Sequence, residues 1–302
     1  MEPKPSFLGP RYASAFEDPA VVASYHTRPP YPEEVFSLLA GLLAGRPGPV
    51  LDLGCGTGII ARRLVEHAER VDALDVAPAM LAEGKRLPNG DHPRLRWMLG
   101  RAEDAPLGGP YALVTAAASL HWMDWTVVLP RLHDALTPDG LLVIIVDGQL
   151  PPPWHAELLP VLAHYSTNQE YQVGFDLVTA LEQRGLLDLH ERRRTAPVPF
   201  RQSVDAYVES FHARSGFSRA RMEPQRSSSL TRRCGRSSRA TGMSWSSRSS
   251  PAWPGADRDQ ADQPLSEEQT CGRVGRDRHR LVHSSAGQSL SLPLPRSTTS
   301  IW

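Results

Sequence analysis

Short apolar stretches alternate with amphipathic segments over the first two-thirds of the chain. The stretches are four to six residues long, which is the length of buried strands in a parallel sheet. The pattern predicts five such strands, at 50–53, 70–74 with Asp75 at its end, 95–99, 111–116 and 141–146. Four of the remaining segments have helical periodicity or helix-start signals, at 33–46, 59–68, 78–87 and 125–136.

This alternation of strands and helices predicts an α/β fold with a doubly wound, mostly parallel sheet. Pro32 precedes the first helix, and Pro130 is expected to kink or restart the fourth. Ligands of such sheets bind beyond the carboxyl ends of the strands, where the strand order reverses. Functional residues are therefore expected directly after the predicted strands.

The composition changes abruptly after residue 215. Residues 1–215 carry 19 Lys and Arg against 26 Asp and Glu, whereas residues 216–302 carry 14 Arg against 7 acids. Of the 35 residues from 216 to 250, 19 are Ser or Arg, which is too polar to bury a core. We expect a folded domain over 1–215 and a disordered Ser/Arg-rich tail over 216–302. Two hypotheses explain this composition. One is a reading-frame shift near codon 220, and the other is a basic tail that binds phosphate groups.

The strongest chemical signal is the segment VLDLGCGTG at 50–58. A buried strand leads into three glycines at alternate positions, where the backbone can turn tightly and approach a ligand. A dinucleotide fingerprint would need glycine or alanine at position 59, which is Ile59. The spacing therefore favours S-adenosyl-L-methionine over NAD. Asp52 can accept a hydrogen bond from a cationic ligand group or orient the loop.

Asp75 ends the second strand and is expected to grip the ribose hydroxyls of a nucleoside ligand. NAD enzymes use the same arrangement, so Asp75 alone does not distinguish the two cofactors. Asp72 falls on the other side of the strand alternation, and we interpret it as facing solvent or a helix.

Further motifs follow in order: LDVAPAML at 74–81, GRAEDAPL at 100–107 and LTPDG at 136–140. With DLGCGTG at 52–58, they resemble the type 11 methyltransferase family of the Rossmann-like class I fold. The segments YHTRPPYP at 25–32 and SLHWMD at 119–124 are similar to the small-molecule subgroup that includes trans-aconitate methyltransferase-like proteins. The resemblance covers about residues 10–215.

The resemblance implies a set of cofactor-binding residues. Gly54, Gly56 and Gly58 would line the methionine part and the adenosine, and Asp75 would bind the ribose. Ala102 and Glu103 would frame the adenine, although Arg101 stands where many relatives carry Asp. Tyr25 and Arg28 would reach over the cofactor, and a guanidinium there suits a carboxylate. These candidates, with Asp52 and Ser119, form the predicted cofactor site.

Ser119 and His121 follow strand four, where the transferred methyl group is expected to point. His121 is the one ionisable candidate for a general base. The alternative is that His121 and Trp122 only shape the pocket wall, because a carboxylate acceptor would need no base. Trp154, His155, His164, Tyr165 and Tyr171 lie in the region expected to cover the site.

Family members end with strands six and seven, with seven lying between five and six. Residues 195–200, with the arginines Arg192–Arg194 before them as a water-facing ladder, can serve as strand six. No convincing strand seven follows, since Leu281 and Val282 are the only locally apolar pair. We therefore expect the last strand to be missing and stability to suffer.

The predicted function is methyl transfer from S-adenosyl-L-methionine to a small-molecule acceptor, with O- or carboxyl-methylation favoured. The alternatives are a damaged relative that binds the cofactor without turnover, an NAD oxidoreductase and an RNA methyltransferase anchored by its tail. The acidic balance of residues 1–215 argues against nucleic acid as a partner. The three cysteines suggest neither disulfides nor zinc, and no metal is implied. With no apolar run of membrane-spanning length, a cytoplasmic location without membrane contact is expected, and no oligomeric state is indicated.

Overall fold

The computed structural model describes residues 4–146, 155–172, 174–240, 264–265 and 268–273. Its strands are β1 (Val50–Leu53), β2 (Val71–Asp75), β3 (Leu95–Leu99), β4 (Tyr111–Ala117), β5 (Leu136–Val146), β6 (Asp188–Arg194), β7 (Val198–Pro199), β8 (Pro264–Leu265) and β9 (Glu268–Arg273). Its α-helices are α1 (Pro10–Ala13), α2 (Pro19–Tyr25), α3 (Glu33–Ala44), α4 (Ala61–Leu64), α5 (Pro78–Gly84), α6 (Trp125–Ala135), α7 (His155–Tyr165), α8 (Leu177–Gln183), α9 (Val204–His212) and α10 (Pro224–Ala240).

Seven of the strands form one sheet in the order β3-β2-β1-β4-β5-β9-β6. Strands β1 to β5 are parallel to one another, so the predicted α/β, mostly parallel architecture is confirmed. The strand order reverses between β1 and β4, and the glycine loop after β1 lies at this switch point. All four residues of β1 are buried, as expected for a strand covered on both faces.

The element boundaries differ from the predictions in a few places. Helix α4 covers only Ala61–Leu64, and β5 begins at Leu136 because the LTPDG segment continues into the strand. Pro130 lies inside α6. Strand six is the arginine-containing segment Asp188–Arg194, one stretch earlier than expected, and Arg192, Arg193 and Arg194 are exposed along it.

The expectation of a missing last strand is wrong in one respect, because β9 occupies its place. Residues 268–273 run antiparallel between β5 and β6, with Leu142 opposite Gly272 on one side and Asp188 opposite Arg273 on the other. The segment is polar, and its pairing rests on backbone hydrogen bonds. The pair Leu281 and Val282, considered as an alternative, lies outside the described residues.

Two apolar layers cover the two faces of the sheet. One layer joins β4 and β5 to α6, α8 and the N-terminal Phe7 and Leu8. The other joins β1 and β2 to α3 and α4. Tyr171, considered as a substrate contact, packs edge-on against Phe7 in the first layer.

A third apolar cluster lies among α7, α9 and α10. Its buried members include Leu158, Val208 and Phe211, and also Phe217, Leu230 and Cys234 from beyond residue 215. The beginning of the expected tail is therefore packed against the domain, and the boundary at residue 215 does not match the end of folded structure. Tyr165 belongs to this cluster, while His164 is exposed. Trp154 and the side chain of His155 lie outside the described residues, as does most of the chain after residue 240.

The interpretation of Asp72 as facing solvent or a helix is wrong. Its side chain is fully buried, accepting two hydrogen bonds from Arg96, at 2.9 and 2.8 Å, and one of 2.7 Å from the Tyr111 hydroxyl. Arg70 donates to the same carboxylate. A buried carboxylate is tolerated because these partners satisfy its charge and lone pairs.

Candidate active site

The loop after β1 holds the three glycines in the left-handed backbone region. Their φ angles are +66° at Gly54, +55° at Gly56 and +72° at Gly58. The loop is attached to the end of β2, since the backbone N–H groups of Gly54 and Cys55 both donate to the Leu74 carbonyl, at 2.8 and 3.0 Å. This arrangement fixes the loop across the carboxyl ends of the two strands.

Close packing adds a second requirement at Gly54 and Gly58. A Cβ on Gly54 would lie 2.5 Å from the Cβ of Ser119, and one on Gly58 would lie 2.5 Å from the Trp97 ring. At Gly56 the nearest atom would be the Tyr25 hydroxyl at 3.6 Å, an ordinary contact distance. Gly58 is buried beneath Trp97, so its role is packing, and Gly54 and Gly56 form the half-exposed part of the loop.

Asp52 is directed into the domain, where it orients the loop. Its carboxylate accepts a 2.9 Å hydrogen bond from the Thr115 hydroxyl on β4 and one of 3.1 Å from the Ala61 N–H at the start of α4. Burial raises the pKa of Asp52 to about 7. Of its two predicted roles, the structure supports the orientation of the loop, because both oxygens are engaged internally.

Asp75 lies at the end of β2, facing the loop. Its Oδ2 accepts a 2.7 Å hydrogen bond from the Gly56 N–H, and its Oδ1 accepts one of 2.8 Å from the Ala77 N–H. Burial raises the pKa of Asp75, and the backbone donors oppose that shift. A carboxylate has about four acceptor positions, so the partly exposed Asp75 keeps capacity for two ribose hydroxyls.

Tyr25 and Arg28 lie on the open side of the glycine loop. Tyr25 ends α2 next to Gly56, and the Arg28 Nη1 donates a 3.3 Å hydrogen bond to the Tyr25 hydroxyl. The guanidinium also lies over the Tyr25 ring, 5.1 Å from its centre. Tyr25 therefore lies beside the loop with Arg28 against it, and their contact with a cofactor stays a prediction.

Ser119 closes the base of the site. It is buried after β4, and its hydroxyl donates to the Leu53 carbonyl at the end of β1. The hydroxyl thus joins the ends of the two central strands, and its Cβ packs against Gly54.

His121 follows two residues later in a short 3-10 turn, Leu120–Trp122. Its ring packs against Trp122, with the ring centres 4.6 Å apart. Burial lowers the pKa of His121 to about 3, and the positive charges of Lys4 and Arg28 contribute. The imidazole is therefore neutral at physiological pH, and a group with so low a pKa is a weak proton acceptor.

Ala102 and Glu103 follow β3. Ala102 is buried, while the Glu103 carboxylate accepts a 3.0 Å hydrogen bond from the Asp124 N–H and lies 3.6 Å from the Arg101 guanidinium. Glu103 therefore connects the loop after β3 to the loop that carries His121.

Three further residues were missed by sequence reasoning. The Lys4 Nζ donates a 2.9 Å hydrogen bond to the Met123 carbonyl, and burial lowers its pKa to about 8. Val76 and Leu99 are large apolar side chains with 40% and 63% exposure, directly after Asp75 and at the end of β3. The positions of Val76 and Leu99 directly after Asp75 and at the end of β3 were a usable sequence signal, whereas Lys4 lies too far from residue 123 in the chain to be linked to it.

The fold is a Rossmann-like α/β domain with the glycine loop at its switch point, where ligands of such sheets bind. Residues 50–140 match the model of a family described as "Methyltransferase domain". This segment, from β1 to the middle of β5, is therefore similar to methyltransferase domains. S-adenosyl-L-methionine is the cofactor that the resemblance implies for this class, and the geometry of the loop and Asp75 fits a nucleoside with a free ribose.

Curated relatives match the chain over less than half of its length. An uncharacterized methyltransferase of Mycobacterium bovis is 36% identical over 127 residues, which is 42% of this chain and 49% of the relative. A trans-aconitate 2-methyltransferase of Streptomyces avermitilis is 33% identical over 39% of this chain and 45% of its own length. A malonyl-[acyl-carrier protein] O-methyltransferase of Serratia marcescens is 33% identical over 43% and 50%. The chain thus spans about half the length of the curated relatives it matches.

Solved structures share the fold over a longer part of the chain. A type II methyltransferase structure from Anaeromyxobacter dehalogenans covers 82% of this chain and 97% of its own, with a TM-score of 0.52 and 21% identity. A methyltransferase structure from Anabaena variabilis covers 78% and 96%, with a TM-score of 0.51 and 13% identity. At these identities the likeness supports the architecture alone.

Within the described residues, every helix is too short or too polar to cross a membrane. The same part of the chain contains no group of three or more His, Cys, Asp or Glu placed to hold a metal ion.

Proposed function

We propose that this protein transfers the methyl group of S-adenosyl-L-methionine to a small-molecule acceptor, by O- or carboxyl-methylation. The observation that carries the proposal is the pairing of the glycine loop with Asp75. The Gly56 N–H donates to the Asp75 carboxylate at 2.7 Å, and this contact supports the proposal because a carboxylate that could accept ribose hydroxyls then lies beside a loop that a ligand can approach closely.

The residues around this pairing suit the parts of the cofactor. Asp75 would accept hydrogen bonds from the ribose hydroxyls, and the exposed Val76 and Leu99 side chains would flank the adenine. Ala102 and Glu103 would frame the adenine from the loop after β3. Gly54 and Gly56 would lie along the methionine part, beneath Tyr25 and Arg28.

Positive charge favours an anionic acceptor, such as a carboxylate. Lys4 and Arg28 both lie close enough to His121 to lower its pKa, so the two cations share one region with the candidate acceptor site. A guanidinium binds a carboxylate with paired hydrogen bonds. A curated relative carries a name that specifies methylation of trans-aconitate, a small carboxylic acid.

Methyl transfer to a carboxylate requires little acid–base chemistry from the protein. The cofactor, when bound, supplies an activated methyl group on a positively charged sulfur. The chain would orient the acceptor oxygen in line with that methyl group and exclude water, with His121 and Trp122 as the pocket wall. A neutral His121 with a pKa near 3 fits this role better than that of a general base.

The proposal predicts that Asp75→Asn weakens S-adenosyl-L-methionine binding by about 100-fold, because two charge-assisted hydrogen bonds to the ribose are lost. Calorimetric titration of the full chain measures the change. Asp176→Asn serves as the control, since Asp176 caps α8 through Thr179 and is remote from the loop in sequence and contacts.

Three outcomes of this experiment decide between the candidate functions. Tight binding that survives in Asp176→Asn and is lost in Asp75→Asn supports the cofactor site. Binding of NAD in place of S-adenosyl-L-methionine overturns the proposal in favour of an oxidoreductase. Binding without turnover of any carboxylic acid in a panel indicates a relative that has lost its activity.

A further inference from the structure

One segment of the chain covers the glycine loop from its open side. This cover segment, residues 14–28, contains α2, whose last residue Tyr25 lies beside Gly56, and it ends at Arg28, which donates to the Tyr25 hydroxyl. Its inner side packs on the domain, because the fully buried Val21 contacts Ala77 and Met80 around the start of α5. Its other contacts come from residues much later in the chain.

A bidentate ion pair between Arg219 and Glu209 holds the end of α2. The Arg219 Nη1 and Nη2 each donate a 2.6 Å hydrogen bond to one carboxylate oxygen of Glu209. The Ser24 hydroxyl donates to the same carboxylate, and Arg219 lies within 3.3 Å of that hydroxyl. Ser24 is 2% exposed and directly precedes Tyr25 in the chain. Arg–carboxylate pairs of this geometry fix both position and angle.

Two more contacts hold the beginning of the cover segment. The buried Ser218 hydroxyl donates a 3.0 Å hydrogen bond to Asp18, whose other oxygen caps the first turn of α2. The Arg221 guanidinium donates to the Ser14 hydroxyl at 2.7 Å. Residues 218–221 therefore contact the cover segment at several points between Ser14 and Ser24, although they lie in the Ser/Arg-rich part of the sequence.

We propose that Glu209 and Arg219 are positioning residues, which hold α2 so that Tyr25 stays on the glycine loop and closes the cofactor site. The inference rests on the proposed function for its effect on the cofactor. It goes beyond that function because neither residue is placed in the site itself. Residues 215–221, with their unusual composition, are on this basis part of the working methyltransferase.

Hydrogen exchange tests the positioning directly, without any cofactor. In the full chain, Arg219→Ala is expected to speed the exchange of the amides in residues 19–28 by about tenfold or more, with the strands β1, β2 and β4 unchanged. Glu33→Ala is the matched control, because Glu33 forms a comparable ion pair with Arg63 between α3 and α4. Unchanged exchange over residues 19–28 would overturn the proposal.

Cofactor affinity tests the consequence. Arg219→Ala is expected to weaken S-adenosyl-L-methionine binding about tenfold, equivalent to about 1.4 kcal/mol. In a Tyr25→Ala background the same substitution is expected to have little further effect, because the two act through one contact. Additive losses would overturn the proposal, as would a loss of equal size in Glu33→Ala.

Two variants protect the test against simple unfolding. Glu209→Gln keeps the size of the side chain, and Arg219→Lys keeps the positive charge without the paired hydrogen bonds. Each is expected to give a smaller increase in amide exchange and a smaller loss of cofactor affinity than Arg219→Ala. If the wild-type chain binds no S-adenosyl-L-methionine, the proposed function fails. The exchange measurement then decides alone whether Glu209 and Arg219 hold α2.

Discussion

Asp52 and Asp75 lie on neighbouring strands, yet their surroundings give them different tasks. Asp52 is buried and uses its oxygens on Thr115 and Ala61, so it joins β1 to β4 and to the start of α4. Asp75 is partly exposed and uses backbone donors from the loop and from the start of α5. The Asp52 carboxylate therefore stabilises the loop from inside the domain, while the Asp75 carboxylate remains accessible to a ligand at the loop surface.

The three glycines also differ in what they require, and this gives a prediction. Gly56→Ala is expected to cost about 1–2 kcal/mol of unfolding free energy, because an L residue is strained at a positive φ. Gly54→Ala should cost about 1–3 kcal/mol more, because its Cβ would overlap that of Ser119. Urea unfolding of the two variants measures the difference.

The comparison has a built-in control. Both substitutions add one methyl group at a left-handed position of the same loop, so only the packing differs. Equal losses in the two variants would show that Ser119 moves away at no cost. In a Ser119→Gly background, which already lacks the hydrogen bond to Leu53, Gly54→Ala is expected to cause little more loss than Gly56→Ala does.

At the scale of elements, the sheet depends on a strand with no apolar pattern. Strand β9 pairs with β5 on one side and β6 on the other, so its backbone groups satisfy two neighbours. Without it, β5 would present an unpaired edge, along which residues 141–146 are all apolar.

Thr270→Pro tests this dependence. Thr270 lies opposite Ile144 on β5 and Arg192 on β6, in the middle of β9. Proline removes a backbone donor and is poorly tolerated in a central strand, so a loss of about 3 kcal/mol or more is expected. Thermal unfolding and light scattering measure the loss of stability and any aggregation. Thr270→Ala keeps the N–H group and should remain close to wild type; a similar loss in both variants would point to the side chain instead.

The sequence predicts the elements whose pattern is set by burial. Strand β1 is predicted to the residue, and β2 and β4 within one residue, because their short buried runs leave little choice. Strand β3 is also predicted to the residue, although none of its five residues is fully buried. Strand β9 is missed because its six residues are mostly polar and its pairing is decided by distant backbone. Residues 217–234 are misassigned because a few buried side chains, such as Phe217 and Leu230, suffice to pack a Ser/Arg-rich segment.

The residues of the candidate site likewise fall into those that the sequence predicts and those that it does not. The sequence predicts that the glycines follow β1 and that Asp75 ends β2, because each lies directly after a short apolar run; their contact with a cofactor stays a prediction. The parts played by Thr115, by Lys4 and by Glu209 with Arg219 against Ser24 depend on contacts between residues far apart in the chain. No local pattern contains that information.

At the scale of the whole molecule, buried Asp52 makes stability depend on pH. Its pKa is about 7 in the folded chain against an ordinary value of 3.8. A raised folded-state pKa contributes stability that is complete below pH 3.8 and is lost as the pH rises through 7. Each unit of pKa difference corresponds to about 1.4 kcal/mol, so the effect is on the order of a few kcal/mol.

Asp52→Asn should remove this dependence. The unfolding free energy of the wild type is expected to fall relative to that of Asp52→Asn between pH 5 and pH 8, as measured by urea unfolding at several pH values. Asp176→Asn is the control, because the pKa of Asp176 is lowered and its contribution does not change above pH 5. Parallel pH profiles for the wild type and Asp52→Asn would contradict the assignment.

The position of β9 has a consequence for how the protein is made. Leu142 on β5 pairs with Gly272, 130 residues further along the chain. During translation the first five strands therefore emerge from the ribosome long before the segment that completes the sheet. Until that segment is made, the edge of β5 in the nascent chain has no pairing strand. Such delayed long-range pairing slows folding and favours association between newly made chains. Translation speed over residues 147–273, and chaperones that shield exposed edges, are thus expected to control the yield of native protein.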